Sequence, residues 1–134
     1  MKNAQLKFRC WDKINKKFVP PSHIAINGNG VLLITDSGLY EKFQNKNYCK
    51  ADQEYVVQQF TGEYDKNKKE IYEGDIIRSY SAEFINENYD GEVVFVDATF
   101  DVKIDDKTYA GLWSGDDIEV IGNVFENSEL LKNE

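Results

Sequence analysis

His23 is the chain's single histidine, and Cys10 and Cys49 are its two cysteines. Strong zinc sites want about four ligands, chiefly sulfur or nitrogen, and three such side chains fall short. The cysteines are too few for a disulfide framework and too far apart for a Cys-x-x-Cys knuckle. A nucleophile–base relay would have to bring His23 to a cysteine or serine in space, as triads do. No Gly-x-Ser-x-Gly elbow or cysteine-hydrolase signature marks such a nucleophile. A reactive thiol also needs a neighbouring cation or a helix N-terminus. Cys10 falls in a strand beside Arg9, whose side chain points to the opposite face. The carboxylates Asp105, Asp106, Asp116, Asp117 and Glu119 suit calcium or magnesium by type. They lack the Asp-x-Asp-x-Asp-Gly pattern, and paired acids of this kind form turns. With 24 acids in the chain, close carboxylate pairs of the glycosidase kind arise without meaning. Gly28-Asn-Gly30 leads into a strand, not into the helix that a phosphate loop requires. We therefore expect no catalytic residue, no metal and no cofactor.

Aromatic side chains are the better candidates for function. Barrels that bind peptides or single strands use aromatic platforms, and Trp11, Tyr72, Tyr80, Tyr109 and Trp113 form the candidate contact surface. Aromatics in a small β domain also build its core. Trp11 is the sharpest case, because it shares a face with Lys7 and Arg9 while Leu6, Phe8 and Cys10 share the other. Either that polar face is covered or Trp11 is exposed.

The elements that must position these residues read as strands. Leu6–Trp11 alternates, and Asp12–Lys17 is a turn. His23–Asn27 and Val31–Thr35 flank the Gly28-Asn-Gly30 turn as a hairpin. Residues 41–53 read as loop, and Glu54–Thr61 reads as a strand on its β-branched and aromatic content. Tyr72-Glu-Gly-Asp75 turns into Ile76-Ile77, with Gly74 supplying a positive φ. Ser81–Asp90 reads as a long loop or one helical turn. Gly91–Val96, Phe100–Ile104, Thr108–Leu112 and Ile118–Phe125 complete the pattern. We expect residues 91–125 to form one contiguous antiparallel run, with Phe100, Val102 and Ile104 buried. Residues 127–134 offer a cap and one helical turn. The whole predicts a mainly β chain, a small antiparallel barrel or compact sandwich with N-terminal hairpins. Its C-terminal half shows an SH3-like or OB-like strand pattern.

At 134 residues, 41% of them hydrophobic and 13% aromatic, one domain over 1–134 with a substantial core is the expectation. The net charge of −8, with a pI near 4.7, disfavours general nucleic-acid binding, which wants a basic face. Lys13, Lys16 and Lys17, and Lys66, Lys68 and Lys69, flank turns where exposed lysines are ordinary. Residues 1–12 carry Lys2, Lys7 and Arg9 without the apolar stretch of a secretory signal. Val31-Leu-Leu-Ile34 is far shorter than a membrane span. A cytoplasmic location without a membrane partner follows as the expectation.

Four blocks carry a family resemblance. They are Lys7-Phe-Arg-Cys-Trp-Asp12, Gln59-Phe-Thr-Gly62 with its continuation to Ile77, Gly91-Glu-Val-Val-Phe95, and Glu119-Val-Ile-Gly-Asn-Val-Phe-Glu-Asn127. In this order the chain resembles the YopX family of phage and prophage proteins. The resemblance implies a small, mainly β accessory protein with no catalytic residues to carry over, and more often an alanine where this chain has Cys10. The expected role is a non-enzymatic protein-interaction module of a host or phage partner, with homo-oligomers forming through edge strands. The rivals are a nucleic-acid-binding β-barrel and an acidic DNA-mimic inhibitor. Interleaved acids and bases oppose the mimic.

Overall fold

Alternating side chains and Gly/Asp/Asn turns do fold this chain into antiparallel β structure. The computed structural model describes residues 6–30, 32–34, 55–80, 88–112 and 117–131, with the backbone alone at 49–50. The protein is mainly β, of the kind seen in small barrels and sandwiches, and every registered pairing among the described strands is antiparallel. The chain divides into two compact units, Phe8–Gln58 and Met1–Lys7 with Gln59–Glu134.

In the Phe8–Gln58 unit, β1 (Phe8–Asp12) pairs with β2 (Lys17–Phe18), setting Trp11 opposite Phe18. The Asp12 carboxylate caps the intervening turn by accepting the N–H groups of Ile14 and Asn15 at 2.9 and 3.0 Å. This Asx geometry explains why the Asp-Lys-Ile-Asn stretch turns where it does. β3 (Ile24–Ile26) and β4 (Leu32–Ile34) form the expected hairpin. Asn27 builds its turn through both its carbonyl and its side chain, to Gly30 and Asn29. β5 (Cys49–Lys50) pairs with β4, so these two residues are strand where the sequence predicted loop. β6 (Tyr55–Tyr64) is the strand expected from Val56-Val57, longer than predicted, and it passes from one unit into the other at Gln58–Gln59. Cys10, Leu32 and Ile34 are the core of this unit, packed with Val19, Ile24, Ile26, Tyr55 and Val57.

In the other unit β6 pairs with β7 (Glu70–Tyr72), followed by β8 (Asp75–Ser79), β9 (Tyr89–Val96), β10 (Thr99–Lys103), β11 (Tyr109–Gly111) and β12 (Ile118–Asn123). The last five make one sheet in the order β11-β10-β9-β8-β12. The expected contiguous run over 91–125 therefore holds only for β9, β10 and β11. β12 crosses back to pair with β8, Ile118 opposite Ser79 and Asn123 opposite Asp75. The strand alternation was legible, but alternation carries no information about which neighbour a strand chooses. β9 also begins at Tyr89, inside the stretch read as loop; residues 81–87 of that stretch lie outside the described residues. So does most of the loop reading at 41–53.

The core of this unit is Ile71, Ile77, Val93, Val102 and Ile118, with Tyr89, Phe100, Leu112 and Val120 against it. Val102 is fully buried as expected. Phe100 and Ile104 are half-buried: Phe100 stands near the start of β10 and Ile104 just past its end, where the core thins. Gly74 has φ +84°. Its N–H donates to the Val93 carbonyl and its carbonyl accepts from Val124, so the turn is bonded on both sides. Asp75 bonds back to the Tyr72 N–H at 2.8 Å. A short 3-10 turn at Ser128–Leu131 supplies the helical turn expected near the C-terminus.

Candidate interaction surface

Of the five aromatics singled out in the sequence, the structure describes four, each in its own setting. Trp11 is 7% exposed, its ring edge-on to Phe18 at 5.0 Å, while the Arg9 guanidinium lies 4.8 Å from the same Phe18 ring. Trp11 is thus covered on its polar face and offers little surface to a partner. The short β2 strand supplies the cover, which alternation within β1 alone could not reveal. Trp113 lies outside the described residues.

Tyr80 is 42% exposed but heavily engaged. Lys66 Nζ stands 4.0 Å from its ring centroid, and its hydroxyl donates to Glu119 Oε1 at 3.0 Å. Glu119 also meets Lys66 at 3.7 Å and the Asn67 amide at 3.3 Å. Glu119 therefore serves as a surface junction that ties Tyr80, Lys66 and Asn67 together. Tyr109 is 45% exposed on β11, the end strand of its sheet.

Tyr72 belongs to an aromatic cluster on β6 and β7. Its ring lies 5.5 Å from Phe60, and Phe60 lies 5.5 Å from Tyr64. A bulge makes this possible: Phe60 pairs with Tyr72 and Tyr64 with Glu70, with a register shift between them. Gly62 within the bulge has φ +90°. Bulges re-aim side chains in this way, and here two residues four apart both turn toward β7.

Among the described residues, two exposed aromatics escaped the sequence reading. Tyr64 depends on the bulge, which no periodicity announces. Phe95 is 53% exposed and lies opposite Phe100, ring centroids 5.0 Å apart. It shares a face with buried Val93, but its strand outruns the core and ends in a two-residue turn. Asp97 and Ala98 in that turn both have positive φ, 52° and 64°. The signal available was the Asp-Ala pair between alternating strands, which lacks the Gly or Asn that normally marks a type I′ turn.

Several of the other chemistry-bearing groups among the described residues are committed to structure. Cys10 is fully buried, and burial first, with the nearby Asp12 charge second, pushes its thiol up to about 11. His23 ends a 3-10 turn, Pro21–His23, where it enters β3. Asp105 caps its own turn through the Lys107 N–H at 2.8 Å, and Asp116 lies outside the described residues. Arg78 and Asp90 form a two-pronged ion pair at 2.8 and 3.0 Å. Among the described residues no three His, Cys, Asp or Glu side chains are grouped to hold a metal ion, and no helix is long and apolar enough to cross a membrane.

The family model described as YopX protein matches residues 7–132, and the chain belongs to the YopX family. It is similar in fold to protein EF1440 from Enterococcus faecalis, with a TM-score of 0.64 and 23% identity over 97% of this chain and 100% of that one. It is also similar to protein yopX from Bacillus subtilis, with a TM-score of 0.57 and 21% identity over 93% of this chain and 97% of that one. No curated protein matches it. At these identities the likeness is one of fold.

Proposed function

We propose that this YopX-family chain is a phage- or prophage-encoded accessory protein that works in the host cytoplasm by binding a protein partner, without catalysis. The observation that carries the reading is Phe95, an aromatic left 53% exposed where β9 outruns its core; Tyr109, 45% exposed on the end strand β11, lies two strands away on the other face of the same sheet and offers a second contact. Exposed aromatics are the usual anchors of protein interfaces, where they remove large apolar area from water at small entropic cost. The net charge of −8 favours a partner with a neutral or basic face over nucleic acid. The raised Cys10 thiol and the turn-capping carboxylates support a non-enzymatic role. β11, as an end strand, offers a route to pairing with a second copy.

Photo-crosslinking residues placed at Phe95 and at Tyr109 test this in host lysate. The expected result is one discrete partner band from each position, lost when Phe95→Asp or Tyr109→Asp is introduced in turn. Partner capture indifferent to both substitutions would sink the reading. Oligonucleotide binding that weakens steeply with salt would replace it with the nucleic-acid-binding barrel.

A further inference from the structure

The Lys7 carbonyl accepts the Phe60 N–H at 2.8 Å, which fixes the point from which the lysine side chain departs. Its ammonium reaches 5.6 Å from the Phe60 ring centroid and forms an ion pair with Glu70. Tyr64 meets the Phe60 ring edge-on at 69°, and Tyr72 lies tilted to it at 44°. The Tyr72 hydroxyl donates to the second Glu70 oxygen at 3.4 Å, fixing the carboxylate from behind. The Glu70 hydrogen bond leads in raising the Lys7 pKa above its ordinary value, burial opposes it, and the Tyr64 and Tyr72 phenols add to the rise.

A cation over one ring, paired with a carboxylate and flanked by two further rings packed on the first, is the chemistry that recognises alkylammonium groups, through a ring quadrupole and a neutralising charge. A surface ion pair contributes little by itself and needs no aromatic surround. Phe60 at the base is 2% exposed, while the Lys7 and Glu70 side chains keep 39% and 31% exposure and Tyr64 keeps 41%, so the rim of the cluster opens to water and Lys7 covers its floor. Lys7 holds its place through a flexible four-carbon stem that can swing out while its backbone stays paired.

We propose that Phe60, Tyr64, Tyr72 and Glu70 form a receiving site for an alkylammonium side chain of the lysine type, with Lys7 as its resident internal occupant. Entry of a lysine from another polypeptide requires that Lys7 leave. The site does not depend on the protein-binding reading above, because a free alkylammonium compound tests it.

Full-length Lys7→Ala protein is titrated with Nα-acetyl-lysine amide at constant ionic strength, following the Tyr64 and Tyr72 ring resonances by NMR. Saturable shifts are expected, with affinity about tenfold above wild type, where Lys7 competes. Adding Glu70→Gln to Lys7→Ala should weaken that affinity about tenfold. Absence of saturable shifts in folded Lys7→Ala, or equal shifts in the double variant, overturns the proposal. Wild-type protein supplies an independent measurement. Its Lys7 ε-methylene protons should resonate upfield through ring currents, and Glu70→Gln should return them to the ordinary position. An ordinary position in wild type overturns the proposal whatever the variants do.

Discussion

Gly91 faces Val102 across the β9–β10 pair so closely that a Cβ on Gly91 would stand 2.5 Å from Val102 Cγ1 and 2.8 Å from the Lys103 carbonyl oxygen. Both neighbours are fixed, one in the core and one in the sheet backbone. Gly91→Ala must therefore push the strands apart, at about 1–3 kcal/mol, the usual range for overpacking. Urea unfolding should show a lower midpoint at unchanged m. A midpoint equal to wild type would mean the two strands yield freely.

Gly74 has a different constraint. Its φ of +84° sits in a turn whose N–H and carbonyl are both bonded. Gly74→Ala should cost about 1 kcal/mol from the backbone conformation alone, read as a drop in Tm.

Ala98 offers the reverse experiment. It holds φ 64° beside Asp97 at 52°, where a type I′ turn favours Asn-Gly. Ala98→Gly should stabilise by about 0.5–1 kcal/mol, the relief of left-handed strain exceeding the entropy glycine adds to the unfolded chain. A lower Tm in this variant would contradict the turn assignment.

Asp65 and Glu92 should give acid titrations of opposite sign. Asp65 is 4% exposed. Burial, the largest single influence, raises its pKa, but the N–H groups of Val120, Lys69 and Asn67 together hold it below the ordinary value. Its contribution is present above the unfolded carboxylate range and is lost as pH falls through the depressed value. Asp65→Asn should cost about 2 kcal/mol at neutral pH and flatten the acid limb of the stability curve. Burial also leads in raising Glu92, with the Lys103 charge opposing and Glu73 adding. The folded state then takes up its proton first, so stability rises as pH falls through the raised value. Glu92→Gln should raise Tm near neutral pH, and the advantage should vanish below the ordinary Glu range.

Cys10, with its thiol pushed up to about 11 and its side chain buried, should resist iodoacetamide near neutral pH in the native fold. Mass spectrometry should find Cys10 alkylated only after denaturant is added. Rapid native labelling would place the thiol in a solvent-reached, activated setting.

Features written into neighbouring residues were legible in the sequence. The Asn27 hairpin, the Gly74 turn, the β10 alternation and the capping aspartates all follow from local rules. What depended on distant partners was not. Trp11 is covered by β2, Tyr64 is turned by a bulge, and β12 is set beside β8 by the Asp65 turn. The Val120 N–H donates to Asp65 Oδ2 at 3.0 Å, and the Lys66 N–H to the Ile118 carbonyl at 2.9 Å. Nothing in residues 118–123 alone encodes that attachment. The candidate surface fared likewise: residue type pointed to aromatics, but exposure is decided by where a strand outruns its core, as at Phe95.

The return of β12 to β8 orders events during synthesis. β8, β9, β10 and β11 are consecutive in the chain and can zip together as they leave the ribosome, whereas the far side of β8 stays open until residue 123 has emerged. A nascent chain exposed only as far as β11 would thus present a meander with the Ile76-Ile77 strand unprotected along one side, a template for pairing with other nascent chains. The delay between the emergence of β11 and that of β12 should therefore influence yield more than the pace at which the meander itself emerges.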